Sequence, residues 1–305
     1  MKPTAKRKGR GKAAESLELI AASIRILEEI QPASVRAVCY RLFTEKLIPN
    51  MSKASTNKVG TQLVYAREKG MIPWDWIVDE TREAETISTW SDPESIIQAA
   101  VRGYRKDYWE MQPRRVEVWS EKGTVRGTVA PILKKYGVTF RVMHGYGSAT
   151  SIHGIAQETL ESDKPLTVFY IDDHDPSGLQ MSEIDLPARL ERYGGRAKIV
   201  RIALDESDVQ DDTKLPWFPA DDKVNDSRYA WFKALYGDRC WEVDALSPVV
   251  LRERLDLAII GLPDVDAWSH AVDIEAAEVE SMQSNLGTWK SISMPAQKYS
   301  TGGTQ

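Results

Sequence analysis

The sequence predicts an α/β protein in which a helical, basic N-terminal part precedes a parallel sheet wrapped by helices. Three observations predict it. Short apolar runs of strand length alternate with helical stretches between residues 113 and 205. The residues before them repeat at helical spacing and carry an excess of positive charge. The chain has 305 residues, 42% of them hydrophobic, which is enough to bury two cores of ordinary size.

Taken in order, Leu17, Ile20, Ala21, Ile24 and Leu27 keep to one face of a first helix over about 15–30, which Pro32 ends. Ser34 is a good N-cap for a second helix, in which Val35, Val38, Cys39 and Leu42 recur at helical spacing through about Leu47. Asn50 and Ser52 interrupt, and a third helix runs from about Ser55 to Lys69, stopped by Gly70. Met71 to Val78 reads as extended. Two short helices, a basic third one and a Trp-rich strand pair have the pattern of a winged helix-turn-helix, with a small helical bundle as the alternative. Ser91, Asp92 and Pro93 open a linking helix to about Met111, closed by Pro113.

From there the period changes. Strands are expected at Arg115–Trp119, Val138–Met143, Leu166–Ile171 and Lys198–Ala203, with helices at Thr124–Tyr136, Ser151–Leu160 and through Asp185–Arg192. Three further helices are expected near 227–236, 248–260 and 269–284, and the polar stretch from Ser291 to Gln305 is expected to be mobile.

The net charge of −5 averages two unlike parts. Residues 1–74 hold 14 Lys or Arg against 6 Asp or Glu, a net of +8, which leaves −13 for the remainder. A basic end on an acidic protein suits a polyanion held at that end, or else a solvated tail over Met1–Lys12. No run approaches the ~20 apolar residues of a membrane span, and Met1–Lys12 lacks the apolar core of a secretory signal, so an intracellular protein is expected. Two cysteines, Cys39 and Cys240, make neither a disulfide framework nor a thiolate zinc site. His144, His153, His174 and His270 show no metal spacing, and Gly145 and Gly147 are a weak Gly-x-Gly.

The most informative run is Thr167–Gly178, an apolar strand that ends in Asp172, Asp173, His174, Asp175, Pro176, Ser177 and Gly178. Glu121 holds the equivalent place after the strand containing Val116 and Val118. Ligand sites form at the carboxyl ends of parallel strands, and carboxylates gathered there select a hard cation such as Mg2+. The alternative is that Asp173, Asp175 and Ser177 form a turn and cap the next helix.

Glu121 after one strand and Asp173-His174-Asp175-Pro176-Ser177-Gly178 after another resemble the Toprim domain of topoisomerases and related nucleases. The form Asp-x-Asp-Pro-x-Gly is most similar to the A subunit of type IIB topoisomerase (topoisomerase VI) and to the meiotic double-strand-break transesterase. At 100° per residue, Tyr40 lies about 150° from the apolar stripe of the second helix, with Arg36 one turn before it on nearly the same side. Ser34-Val35-Arg36-Ala37-Val38-Cys39-Tyr40 resembles that family's Arg-x-x-x-Tyr, whose tyrosine is the DNA-cleaving nucleophile; the alternative is a packing tyrosine. Cys39 stands where relatives often have a second aromatic, and Gly145-Tyr146-Gly147-Ser148 departs from their Gly-Tyr-Pro-Asp. The segment Trp241-Glu242-Val243-Asp244-Ala245-Leu246 is a looser echo.

The resemblance implies a basic tail at 1–12, a winged-helix DNA-binding domain at 13–90, a linker helix at 91–112, a Toprim-type domain with a helical extension at 113–290 and a tail at 291–305. It implies Tyr40 and Arg36 as catalytic residues, Mg2+ (or Mn2+) on Glu121, Asp173 and Asp175, and a 5′-phosphotyrosyl product. Lys53, Lys58, Arg67, Lys69, Arg102 and Arg105 are the expected contacts to double-stranded DNA. A homodimer is expected, the tyrosine of one protomer meeting the metal of the other, in the cytoplasm or on the nucleoid. The chain has no Walker-type ATP motif, so strand passage would need a separate ATPase subunit. Small stand-alone A-like proteins of phages and mobile elements are the nearest comparison. Two other readings stay open: a Toprim nuclease that hydrolyses nucleic acid with metal-activated water, and a non-catalytic winged-helix regulator.

Overall fold

The computed structural model describes residues 14–78, 89–143, 149–210 and 215–292. The basic tail at 1–12, the loop with His144, Gly145 and Gly147, and residues 293–305 lie outside the described residues. The protein is α/β, and in chain order its elements are α1 (Ala14–Ile30), β1 (Ala33–Ser34), α2 (Val35–Thr44), α3 (Lys53–Glu68), β2 (Ile77–Val78), α4 (Pro93–Gly103), β3 (Arg115–Ser120), α5 (Gly123–Tyr136), β4 (Thr139–Val142), α6 (Ala149–Glu161), β5 (Leu166–Ile171), α7 (Pro176–Gln180), α8 (Leu186–Arg192), β6 (Ala197–Ala203), α9 (Glu206–Val209), β7 (Phe218–Pro219), α10 (Tyr229–Tyr236), β8 (Arg239–Cys240), α11 (Pro248–Ile260) and α12 (Val265–Ile292). Among the described residues no helix is long and apolar enough to cross a membrane.

The chain divides into two compact units. The first joins Met1–Thr81 to Pro113–Leu262, so the N-terminal helices and the sheet belong together; the second joins Arg82–Gln112 to Pro263–Gln305. The helix expected to act as a linker is therefore grouped with the C-terminal helix. The reason lies in their contacts: Trp268 of α12 meets Tyr108 and Trp109 edge-on at 4.9 and 5.6 Å, and Tyr104 donates to Glu278 at 2.5 Å.

In the first unit, the apolar stripes of α1, α2 and α3 close a core around Ile26, Leu27, Val38, Leu42, Val59 and Leu63. Ser34 caps α2, its Oγ accepting from the Ala37 N–H at 3.0 Å, and Ser52 caps α3. The stretch expected to be extended from Met71 is shorter: Trp74–Trp76 forms a 3₁₀ turn after Pro73, and only Ile77–Val78 pairs, in parallel, with Ala33–Ser34. Proline pre-sets the turn dihedral, and Arg67 stacks on the Trp74 ring at 4.2 Å, holding that residue out of a ladder.

The main sheet has the order β4-β3-β5-β6 with every pair parallel. From β3 the chain crosses outward to β4, then returns past β3 to β5 and proceeds the other way to β6. The direction of winding thus reverses between β3 and β5, and a crevice opens at their carboxyl ends. β5 is apolar and almost wholly buried, as a central parallel strand should be. Gly137 ends α5 in the left-handed region (φ 61°), the helix stop that the sequence signals.

Candidate functional site

The crevice between β3 and β5 receives Glu121 from the end of one strand and the 172–178 loop from the end of the other. Pairing with β6 continues one step past β5, the Asp172 N–H donating to the Ala203 carbonyl at 2.8 Å. The loop then turns sharply. Asp175 caps α7, its Oδ1 accepting from the Gly178 N–H at 2.8 Å and the Ser177 hydroxyl at 2.9 Å, so the capping role left open by the sequence is met. Pro176 fills the first helical position. Gly178 is required by space: a Cβ there would lie 2.4 Å from the Asp173 carbonyl oxygen. Beneath the loop, the Arg201 guanidinium of β6 donates to the carbonyls of Asp172, Asp173, Gly178 and Leu204, tying the turn to the sheet.

The acids do not face one way. Asp172 accepts from the Tyr170 hydroxyl at 2.9 Å and the Asp173 N–H at 2.8 Å. Asp173 turns aside, accepting from Lys122 Nζ at 2.7 Å and the Val243 N–H at 2.8 Å. Asp175 meets Lys223 at 3.2 Å. Glu121 is half-buried and no hydrogen bond or ion pair holds it among the described residues. Burial raises its pKa, and the charges of Asp172 and Asp175 raise it further. Burial likewise raises Asp172 and pushes Asp173 up to about 7, Lys122 working against the rise. Asp175 goes the other way, because the Gly178 N–H and Lys223 outweigh its burial. Among the described residues no group of three His, Cys, Asp or Glu side chains is arranged to hold a metal ion. The donor chemistry nevertheless suits a hard cation: Glu121 offers a carboxylate in the field of two others, and burial raises the pKa of the neighbouring Cys240 thiol, holding it protonated.

Helix α2 brings the predicted tyrosine to this edge from its own chain. Tyr40 points away from the helical core, as its angular position predicts, but it is not exposed: 6% of its surface is accessible. The 3₁₀ turn at Val243–Ala245 packs on α2. Burial raises the phenol's pKa, Glu242 adds to the rise, and Arg36 and Lys122 oppose it. Arg36 lies 5.9 Å from the ring centroid and forms a bidentate pair with Glu242. Ser34 Oγ, besides capping α2, donates to Asp244 at 2.6 Å, and Lys122 Nζ stands 3.4 Å from Asp244. Ser34, Arg36, Lys122, Asp173, Glu242 and Asp244 line one open cavity of about 510 Å³. The sequence-level expectation sets the phenol against a partner's acids; here Glu242 and Lys122 of the same chain act on it.

Of the expected DNA contacts, Lys53, Lys58 and Arg67 lie on α3 and Lys69 is its C-cap. Lys53 is exposed at the start of α3, Lys58 pairs with Glu15 at 2.5 Å, and Lys69 lies 5.8 Å from the Tyr65 ring. Arg67 is engaged with Trp74, donating to its carbonyl at 3.2 Å. Arg102 and Arg105 belong to the other unit.

Sequence reasoning passed over Lys122, Glu242, Asp244 and Arg201. A signal existed for three of them: Lys122 directly follows Glu121, and the acids stand in the Trp241–Leu246 echo. Arg201 sits on a strand that reads as ordinary. No family model, curated protein or solved structure matches the chain.

Proposed function

We propose that the chain is a nucleic-acid-cleaving transesterase of the type IIB topoisomerase A kind, built as a winged helix followed by a Toprim-type domain, with Tyr40 as nucleophile. One observation carries the reading: α2 seats Tyr40 and Arg36 on the carboxylate-rich edge of the sheet, with Lys122 among the same groups.

The residues imply the following chemistry. A phosphodiester entering the cavity competes with Glu242 for the Arg36 guanidinium, which binds phosphate in the same bidentate way as carboxylate. Freed of Glu242's pairing, Arg36 stabilises charge on the phosphoryl oxygens. The Tyr40 oxygen attacks phosphorus, the bond to the 3′ oxygen breaks, and the 5′ side remains joined to the phenol. Glu242, whose charge acts on Tyr40, would receive the phenolic proton. Lys122 or solvent returns a proton to the leaving 3′ oxygen. Mg2+ would be held by Glu121, Asp173 and Asp175 only after displacing Lys122 and Lys223 from the two aspartates, and would supply neutralisation of phosphate charge.

The burial of Tyr40 and its raised pKa favour a second reading, a metal-dependent hydrolase in which the tyrosine only packs. One experiment separates the two. The protein is incubated with labelled supercoiled DNA and Mg2+, then quenched with detergent. Transesterification predicts label retained on the polypeptide and lost in Tyr40→Phe. Full cleavage by Tyr40→Phe, with no label on either protein, replaces the proposal with hydrolysis.

A further inference from the structure

The main sheet has a second edge of opposite charge. Around the amino ends of β5 and β6 lies a cavity of about 720 Å³ with Arg114, Lys164, Arg196 and Lys198 in its wall and Asp163 as the one acid. The side chains of Arg114, Arg196 and Lys198 make no ion pair or hydrogen bond among the described residues. Arg114 Nε is buried with no hydrogen-bond acceptor among the described residues. A buried donor left unpaired is costly, and an anion would satisfy it.

The wall is built, not incidental. Gly194 adopts φ +81°, and a Cβ on Gly195 would lie 2.6 Å from the Ala156 Cα, so the turn between α8 and β6 can lie directly on α6 only with these two residues. Thr159 Oγ1 accepts from the Arg196 N–H at 3.1 Å, and Ser162 Oγ from the Lys164 N–H at 3.3 Å, which fixes the backbone from which two of the cations project. Gathering Arg114, Arg196 and Lys198 in one wall repels unless an anion joins them. Two guanidiniums beside two ammoniums and flanking hydroxyls match the oxygens of phosphate.

We infer that this cavity binds phosphate groups, of a free phosphorylated compound or of a nucleic-acid backbone, at a site separate from the acidic edge. The six residues of β5 stand between the two, roughly 20 Å of extended chain. The inference does not depend on the role of Tyr40.

The full-length protein is titrated with inorganic pyrophosphate by calorimetry and with a short fluorescein-labelled DNA duplex by anisotropy. The double variant Arg196→Glu, Lys198→Glu is expected to weaken binding roughly tenfold or more, with an unchanged circular dichroism spectrum. Weakening for pyrophosphate alone assigns the site to a free phosphorylated compound; weakening for the duplex assigns it to nucleic acid. Wild-type protein that binds neither probe, or a folded variant that binds both as tightly as wild type, overturns the inference. Should the variant not fold, acetylation of wild-type lysines decides: Lys164 and Lys198 protected by a probe support the site, and reactivity unchanged by both probes refutes it.

Discussion

The two edges of the main sheet handle charge in opposite ways. At the carboxyl edge, acids and bases neutralise one another within the chain: Asp173 with Lys122, Asp175 with Lys223, Glu242 with Arg36. At the amino edge, Arg114, Arg196 and Lys198 have no such partners. A strand end rich in charge thus says little by itself about what is available to a ligand. What matters is whether the fold has already supplied the counter-charge. On the acidic side a ligand must displace an internal partner, with Glu121 the exception; on the basic side it meets cations that are uncommitted.

The largest effect that separates the edges is expected at Lys122. Lys122→Met leaves Asp173 and Asp244 without their cation and should destabilise by about 3 kcal/mol in urea unfolding, the lower end for breaking a buried pair because the side chain is one-quarter exposed. Adding Asp173→Asn and Asp244→Asn should recover most of the loss. Stability unchanged by Lys122→Met would mean that the acidic edge is not held by internal pairing.

Tyr40 offers a pH test of the same edge. Its folded pKa is raised above the ordinary value near 10, so its contribution to stability is present below pH 10 and lost as pH rises through the folded value. Between pH 10 and 12 the wild type should therefore lose up to ~1.4 kcal/mol per pH unit more than Tyr40→Phe, one proton's worth. Parallel curves for the two proteins would place the phenol in a solvated setting.

The smallest effect belongs to the basic edge. Lys198→Ala should leave stability within about ±0.5 kcal/mol, since it removes no internal partner, and relief of repulsion favours the stabilising sign. A substantial loss in urea unfolding would show that this lysine, like Lys122, is part of the fold's own charge balance.

The alternation of β3, α5, β4, α6, β5 and β6 was legible because each strand is a short apolar run closed by a helix signal, and β5 and α11 match their expected bounds. So was the gathering of Glu121 and Asp172–Asp175, since strand ends in a parallel sheet share one edge whatever the order of strands. The setting of Tyr40 was not. Helical geometry places it off the core, but α2 meets a turn, Val243–Ala245, and the charge of Glu242 acts on the phenol, both two hundred residues away in sequence. Nor was the direction of Asp173, decided by a lysine on the neighbouring strand's exit. The basic cavity escaped for the same reason: Arg114, Lys164, Arg196 and Lys198 each look like an ordinary charge at the start of a strand, and only the sheet collects them.

The second unit is assembled from one stretch inserted within the first, Arg82–Gln112, and one that follows it, Pro263–Gln305, sealed where Gln112 and Asp264, 152 positions apart, exchange reciprocal hydrogen bonds. A deletion from residue 263 onward would accordingly not trim a tidy appendage. It would strand α4 in mid-chain without α12, leaving its apolar side to water, so that both stretches must be excised together before the remaining body could be handled alone.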